Sequence, residues 1–128
     1  MRHGKRPGFL LEVGLVDYEI ARELQRSLAT ARAKWRIPDT LILLQHPHTY
    51  TLGRSGRDEH MLIDEKERED KGISLYQVDR GGDITYHGPG QLVGYPIVYL
   101  GTPGADGRLP AVDYVGYLRS IEEVLIQV

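Results

Sequence analysis

Apolar positions along the chain fall into short groups whose spacing changes from element to element. Phe9 to Val13 form a brief apolar run that predicts a strand. Asp17 then offers an N-cap, and Ile20, Leu24, Leu28 and Ala31 recur behind it at helical spacing. Pro38, which biases Ile37 away from helix, closes that element. The run TLILLQH at 40–46 starts on a β-branched residue and is too short for an ordinary helix, so it predicts a buried strand. After the Pro47 turn, TYTLG at 49–53 predicts another.

The second half has a different texture. IDEKEREDKG at 63–72 is almost wholly charged and predicts a solvated helix or mobile loop that stops at Gly72. ISLYQVDR at 73–80 is β-rich in its first half and leads into a glycine loop. QLVGYPIVYL at 91–100 leaves that loop as a strand, with Pro96 pointing to an edge position or a bulge. GTPGADGRLP at 101–110 is a flexible loop by composition. Asp113 then caps a helix striped by Val115, Leu118, Ile121, Leu125 and Val128. No glycine cap or basic last turn follows, so this helix is expected to continue past Val128. The order β, α, β, β, charged segment, β, glycine loop, β, α predicts the α/β (α+β) class, a mixed sheet flanked by helices. A chain of 128 residues fits a single domain.

Composition narrows the chemistry. A net charge of -2 provides no broad basic field, so no nucleic-acid partner is expected. Glu12 and Asp17 break the first apolar run, which therefore lacks a signal-peptide core. No apolar stretch approaches the roughly 20 residues that span a bilayer. The expectation is a cytoplasmic protein with no membrane partner. The chain contains no cysteine, and with it goes any disulfide, thiolate zinc site or thiol nucleophile within these residues.

One stretch stands apart: DRGGDITYHGPGQLVGYP at 79–96 packs glycines and prolines around Arg80, Thr85, Tyr86, His87 and Gln91. It is not a phosphate loop, because Gly90 is followed by Gln91 and Leu92 instead of lysine and a hydroxyl residue. A dinucleotide fingerprint fails on spacing, GxGxxxG in place of GxGxxG, and on the strand-like sequence that follows. An RGG tract binds RNA by recurring, and this one does not recur. A wide hairpin loop explains Gly81, Gly82, Gly88 and Gly90. It leaves the crowd of polar side chains unexplained, and these next to bare backbone suggest a binding wall.

The residues RGGDITYHGPGQLVGYP resemble the signature of the lipoyl (octanoyl) transferase family, R-G-G-x-x-T-aromatic-H-G-P-G-Q with a tyrosine four residues on. Upstream, ILLQHPHTYTLGR at 42–54 and GLVDYEIARELQRSLATAR at 14–32 resemble the family's first conserved segment and first helix. VDYVGYLRSIEEVLIQV at 112–128 resembles the helix after the loop. The resemblance implies a fold like that of biotin and lipoate protein ligases, with residues 1–128 as the N-terminal portion of one catalytic domain. It implies transfer of an octanoyl group from octanoyl-acyl carrier protein to a lysine of lipoyl domains, those of 2-oxoacid dehydrogenases and of the glycine cleavage H protein. It implies no cofactor and no metal. It also implies that Arg80, Gly81, Gly82, Asp83, Ile84, Thr85, Tyr86 and His87 line the acyl site.

Roles within that wall follow from side-chain chemistry. Gly81 and Gly82 would let backbone approach the acyl group, His87 could orient or shuttle a proton near the thioester, and a structural histidine is the other reading. Thr85 and Gln91 are expected to fix the loop, while Arg80 either holds the loop or meets an acidic partner. His46 and His48 share a strand face, but two imidazoles without a third ligand do not make a metal set. Tyr50, Arg54 and Tyr95 are candidates to border the pocket, and for the tyrosines core packing with a satisfied hydroxyl is the other, favoured reading.

The chain departs from the family in one respect. Family members carry a lysine and a nucleophilic cysteine downstream, a pairing that favours the thiolate. Here Lys5, Lys34, Lys66 and Lys71 all precede the glycine loop, and cysteine is absent. The catalytic pair is therefore expected after Val128, and the 128 residues alone are expected to be inactive. Two other functions remain open, an ATP-dependent lipoate or biotin ligase and a non-catalytic carrier- or lipoyl-domain-binding remnant. Ligases resemble RRxSGGGAVYHD at this loop, and DRGGDITYHGPGQ differs from it.

Overall fold

The computed structural model describes residues 7–101, 104–107 and 113–128, apart from the side chain of Asp58. Two compact units, Met1–Val98 and Tyr99–Val128, are considered separately. The first unit holds β1 (Gly8–Leu15), α1 (Tyr18–Ala33), β2 (Asp39–Gln45), β3 (Thr49–Leu52), a 3-10 turn (Asp58–His60), α2 (Glu65–Asp70), β4 (Ser74–Gln77), β5 (Ile84–His87) and β6 (Val93–Ile97). The second holds α3 (Tyr114–Gln127).

The single mixed sheet expected from the sequence is two mixed sheets of three strands, ordered β1-β2-β6 and β4-β3-β5. In each, the central strand has one parallel and one antiparallel neighbour: β1 runs parallel and β6 antiparallel to β2, and β4 runs parallel and β5 antiparallel to β3. The α/β class is borne out; what differs is that β3 finds its partners in later segments instead of extending the first sheet. The register between β1 and β2 shifts between Glu12 and Gly14, where Gly14 takes a φ of 79°.

Asp17 caps α1 as expected, its carboxylate accepting from the Glu19 N–H at 2.9 Å. The buried line of the helix is a correction. Ile20 points outward at 60% exposure, while Ala21 is buried and Leu24 and Leu28 pack against the core. Arg32 continues that line, buried and bonded to Asp39 at 2.6 Å, with its guanidinium over the Trp35 ring. The core itself is Ala21, Ile42 and Leu44, surrounded by Val16, Leu24, Leu28, Val93, Tyr95 and Ile97. Among the described residues one face of β2 is buried, the one bearing Thr40, Ile42 and Leu44, whereas on the other Leu41 is exposed and Leu43 half-buried. A fully buried strand was expected there, but α1 covers a single side.

The charged segment forms α2, a solvated helix with no buried residue, capped by Asp64. Pro96 lies in β6 at the edge of its sheet, as its missing donor requires. Asp113 caps α3, its carboxylate accepting from Gly116 N at 2.8 Å, and none of that helix's residues is buried. The loop expected at 101–110 lies partly outside the described residues.

Candidate functional site

The glycine-rich stretch is not one loop. Ile84–His87 pairs with β3 as a strand, because ITYH is a β-branched and aromatic run between glycine-flexible ends. Opposed pairs Leu52 with Ile84 and Tyr50 with Tyr86 share one face, and Thr51 with Thr85 and Thr49 with His87 share the other.

Arg80 holds the loop. Its guanidinium donates to Thr51 O and Thr51 Oγ1 at 2.9 Å, to Asp83 O at 3.0 Å and to Gly81 O at 2.9 Å. Three backbone bonds then run from the opposite segment: Gly53 N to Asp83 O at 2.7 Å, Arg54 N to Arg80 O at 2.9 Å and Ser55 N to Gly82 O at 3.1 Å. Together they fix the 80–83 turn against the end of β3. The close approach this creates makes glycine obligatory at Gly53, where an added Cβ would collide with Gly82 O and lie 2.7 Å from Arg80 Nη1. Sequence reading placed the need for glycine at Gly81 and Gly82. Gly82 does take a φ of 91°, but a Cβ on Gly81 would meet nothing within 4 Å.

Asp83 is tied down through its side chain as well, accepting from Arg57 N at 3.2 Å and pairing with His60 Nδ1. Burial pushes its carboxyl up, but the bonds and charges of His60 and Arg57 outweigh that and leave it below the usual value. Ile84 is half-buried and Thr85 exposed. Tyr86 reaches His48 Nδ1 through its hydroxyl, and its ring meets Tyr50 at 5.4 Å between centroids. Gly88 is buried under the Tyr86 ring, where a side chain would strike the phenol.

His87 is oriented by Gln91, its Nδ1–H donating to Oε1 at 2.6 Å. Gln91 in turn donates from Nε2 to Tyr86 O at 3.2 Å, so it fixes the loop as expected. With Nδ1 engaged by Gln91, Nε2 is the ring nitrogen left for another partner. Its ring stacks on Tyr18 at 6.2 Å and meets His46 edge-on at 5.6 Å.

His46 is wholly buried just beyond β2. Its Nδ1–H donates to Val16 O at 2.8 Å and its Nε2 accepts from the Tyr95 hydroxyl at 2.8 Å, so neither nitrogen is available to a metal. Burial lowers its pKa, and the neighbouring His87 adds to that, against opposing contributions from Val16 O and Asp17. The Tyr95 hydroxyl is pushed up to about 12 by burial, with Tyr18 adding to the shift. Tyr18 also contacts His46 and Tyr76, each at 5.2 Å between ring centroids. Tyr18, His46, Tyr76, His87 and Tyr95 thus form one aromatic cluster contributed by both sheets and α1. Sequence reading missed Tyr18 and gave His46 no role in the site, since the two lie far apart along the chain from the glycine motif.

A model of the lipoyl protein ligase A/B catalytic domain matches residues 17–128. The chain belongs to that family. The octanoyltransferase of Acidobacterium capsulatum is 47% identical over 121 residues, covering 92% of this chain and 48% of that protein. That of Nocardia farcinica is 47% identical over 127 residues, covering 99% and 45%. The lipoyl protein ligase A/B member described here therefore spans about half the length of the relatives it matches. In three dimensions it is similar to the bi-partite lipoate protein ligase of Thermoplasma acidophilum, with a TM-score of 0.55 and 21% identity over 97% of this chain and 44% of that one. At that identity the likeness bears on fold, and it agrees with the ligase-like fold implied by the sequence.

Proposed function

We propose that these residues form the acyl-donor side of an octanoyltransferase. In this reading Arg80 to His87 make the wall against which an octanoyl group lies, and the donor and acceptor are octanoyl-acyl carrier protein and lipoyl domains. The observation that carries it is the fixed turn at 80–83, bonded through Arg80 and the Gly53 backbone, leading directly to an oriented His87. Exposed glycine backbone at Gly81 and Gly82 offers an apolar chain a surface without side chains. Identity of 47% to octanoyltransferases supports this over an ATP-dependent ligase, for which the broader family match and a fold likeness at 21% identity speak.

The covalent step needs a nucleophile. With no thiol among the 128 residues, a cysteine and its activating lysine come from sequence outside them, and the family match across both compact units fits one catalytic domain. His87 then stands ready as a proton acceptor or orienting group beside the thioester. The test is transfer of octanoyl from its carrier protein to a lipoyl domain lacking the modification, read by intact mass. The 128 residues alone are expected to give no product. Product from them would place the nucleophile elsewhere in the scheme and overturn this assignment. In the complete enzyme, His87→Ala is expected to slow transfer about a hundredfold, the low end of general acid–base effects, while the fold persists. Unchanged turnover would remove His87 from the chemistry.

A further inference from the structure

Beside the wall runs a groove of about 300 Å³ lined by Tyr18, Arg22, Gln25 and Arg26 from α1, by Val78, Asp79 and Arg80 between β4 and β5, and by Tyr95. Its guanidinium content sets it apart: three arginines against one carboxylate on a chain whose overall charge is negative. The three differ in availability. Arg80 is consumed by the loop it holds. Arg22 touches Glu19 through Nη1 at 3.3 Å, which leaves most of its donor fork unused. Arg26 is exposed and, among the described residues, forms no ion pair. Asp79 is 93% exposed and leans towards Arg54 at 3.6 Å, so it does not neutralise the α1 pair.

The groove adjoins the candidate wall through shared residues. Arg80 belongs to both, Tyr95 bonds His46, and Tyr18 stacks on His87. A molecule whose acyl end lies at the wall is therefore within reach of a groove rich in arginine. We propose that Arg22 and Arg26 form an anion subsite for the phosphodiester on the prosthetic arm of the acyl donor. This rests on the octanoyltransferase reading. Two adjacent forks on one helix face match phosphate oxygens bidentately, which two lysines would not. Gln25 spends one Nε2–H on Ala21 O at 3.1 Å, and its amide carries no charge, so the anion subsite rests on the two arginines.

The experiment compares binding of S-octanoyl-pantetheine with that of the methyl phosphodiester of S-octanoyl-4′-phosphopantetheine by calorimetry. The phosphodiester is expected to bind about tenfold more tightly at low salt, the worth of one charge-assisted hydrogen bond. The advantage shrinks as salt rises, because the arginines are near the surface. Arg22→Gln with Arg26→Gln should bring the ratio close to one without changing affinity for S-octanoyl-pantetheine. Both positions tolerate glutamine as helix formers, and circular dichroism checks the fold. Arg26→Lys alone should retain part of the advantage.

Equal affinities in the native chain overturn the subsite and leave the octanoyl wall standing. Binding of the phosphodiester with equal affinity when its octanoyl group is replaced by a free thiol keeps the subsite and sinks the wall. Failure of both compounds to bind overturns both. Inorganic phosphate binding as tightly as the phosphodiester would make this a free-phosphate site and overturn the assignment to the donor's arm.

Discussion

Gly53 shows how much a single position decides. Its backbone lies so close to Gly82 that any side chain forces either the end of β3 or the 80–83 turn to move. Gly53→Ala is expected to destabilise the fold by about 1–3 kcal/mol, the usual cost of overpacking, as read by chemical denaturation. A change within experimental error would mean that the turn yields freely. His46 sets a second expectation. Its pKa is lowered below 6.5, so between that lowered value and 6.5 the unfolded chain binds a proton that the folded one refuses. Stability is therefore fully present above the unfolded value and falls as pH drops below it. The unfolding midpoint should decline as pH falls through 6.5 towards the lowered folded-state value, and His46→Asn should flatten the decline. An equal slope in the variant would show that other groups carry it. Neither role was legible in the sequence alone. Histidine before proline and glycine before arginine marked the segment, but what fills the space around each is set by the 80–83 turn, β6 and α1, which are remote in sequence.

At the scale of elements, local signals performed well where the cause was local. Asp17 and Asp113 were legible as caps because a carboxylate beside free N–H groups needs no tertiary partner. Asp17→Ala should cost about 1 kcal/mol in thermal stability, and no loss would imply that Asp17 is replaced by water. The charged run behaved as its composition required, forming a helix with nothing buried. Errors arose where packing chose. Ile20 fits a helical stripe as well as Ala21 does, but α1 turns the smaller residue to the sheet. β5 was hidden because its four residues sit between glycines, and only pairing with β3 makes them a strand.

For the whole molecule, the α/β class was legible, whereas the division into two sheets was not. That division depends on β3 pairing with β4 and β5, contacts no periodicity encodes. β1 leaves a consequence. All eight of its residues are exposed, including Phe9 at 60% and Leu15 at 61%, on a strand whose outer edge has no strand partner among the described residues. Such a surface favours association, and sedimentation should show self-association of the 128 residues. A monomer at high concentration would contradict this. Among the described residues no helix is long and apolar enough to cross a membrane.

The central claim is that Arg80 to His87 receive the octanoyl group. Its most direct test is photocrosslinking with S-octanoyl-pantetheine bearing a diazirine at the acyl end, mapped by mass spectrometry of the digested chain. Adducts concentrated between Arg80 and His87, with the neighbouring Gly53 segment, and displaced by unlabelled S-octanoyl-pantetheine, are the predicted result. Adducts spread over the exposed β1 surface, or an absence of displaceable labelling at the turn, would contradict the account.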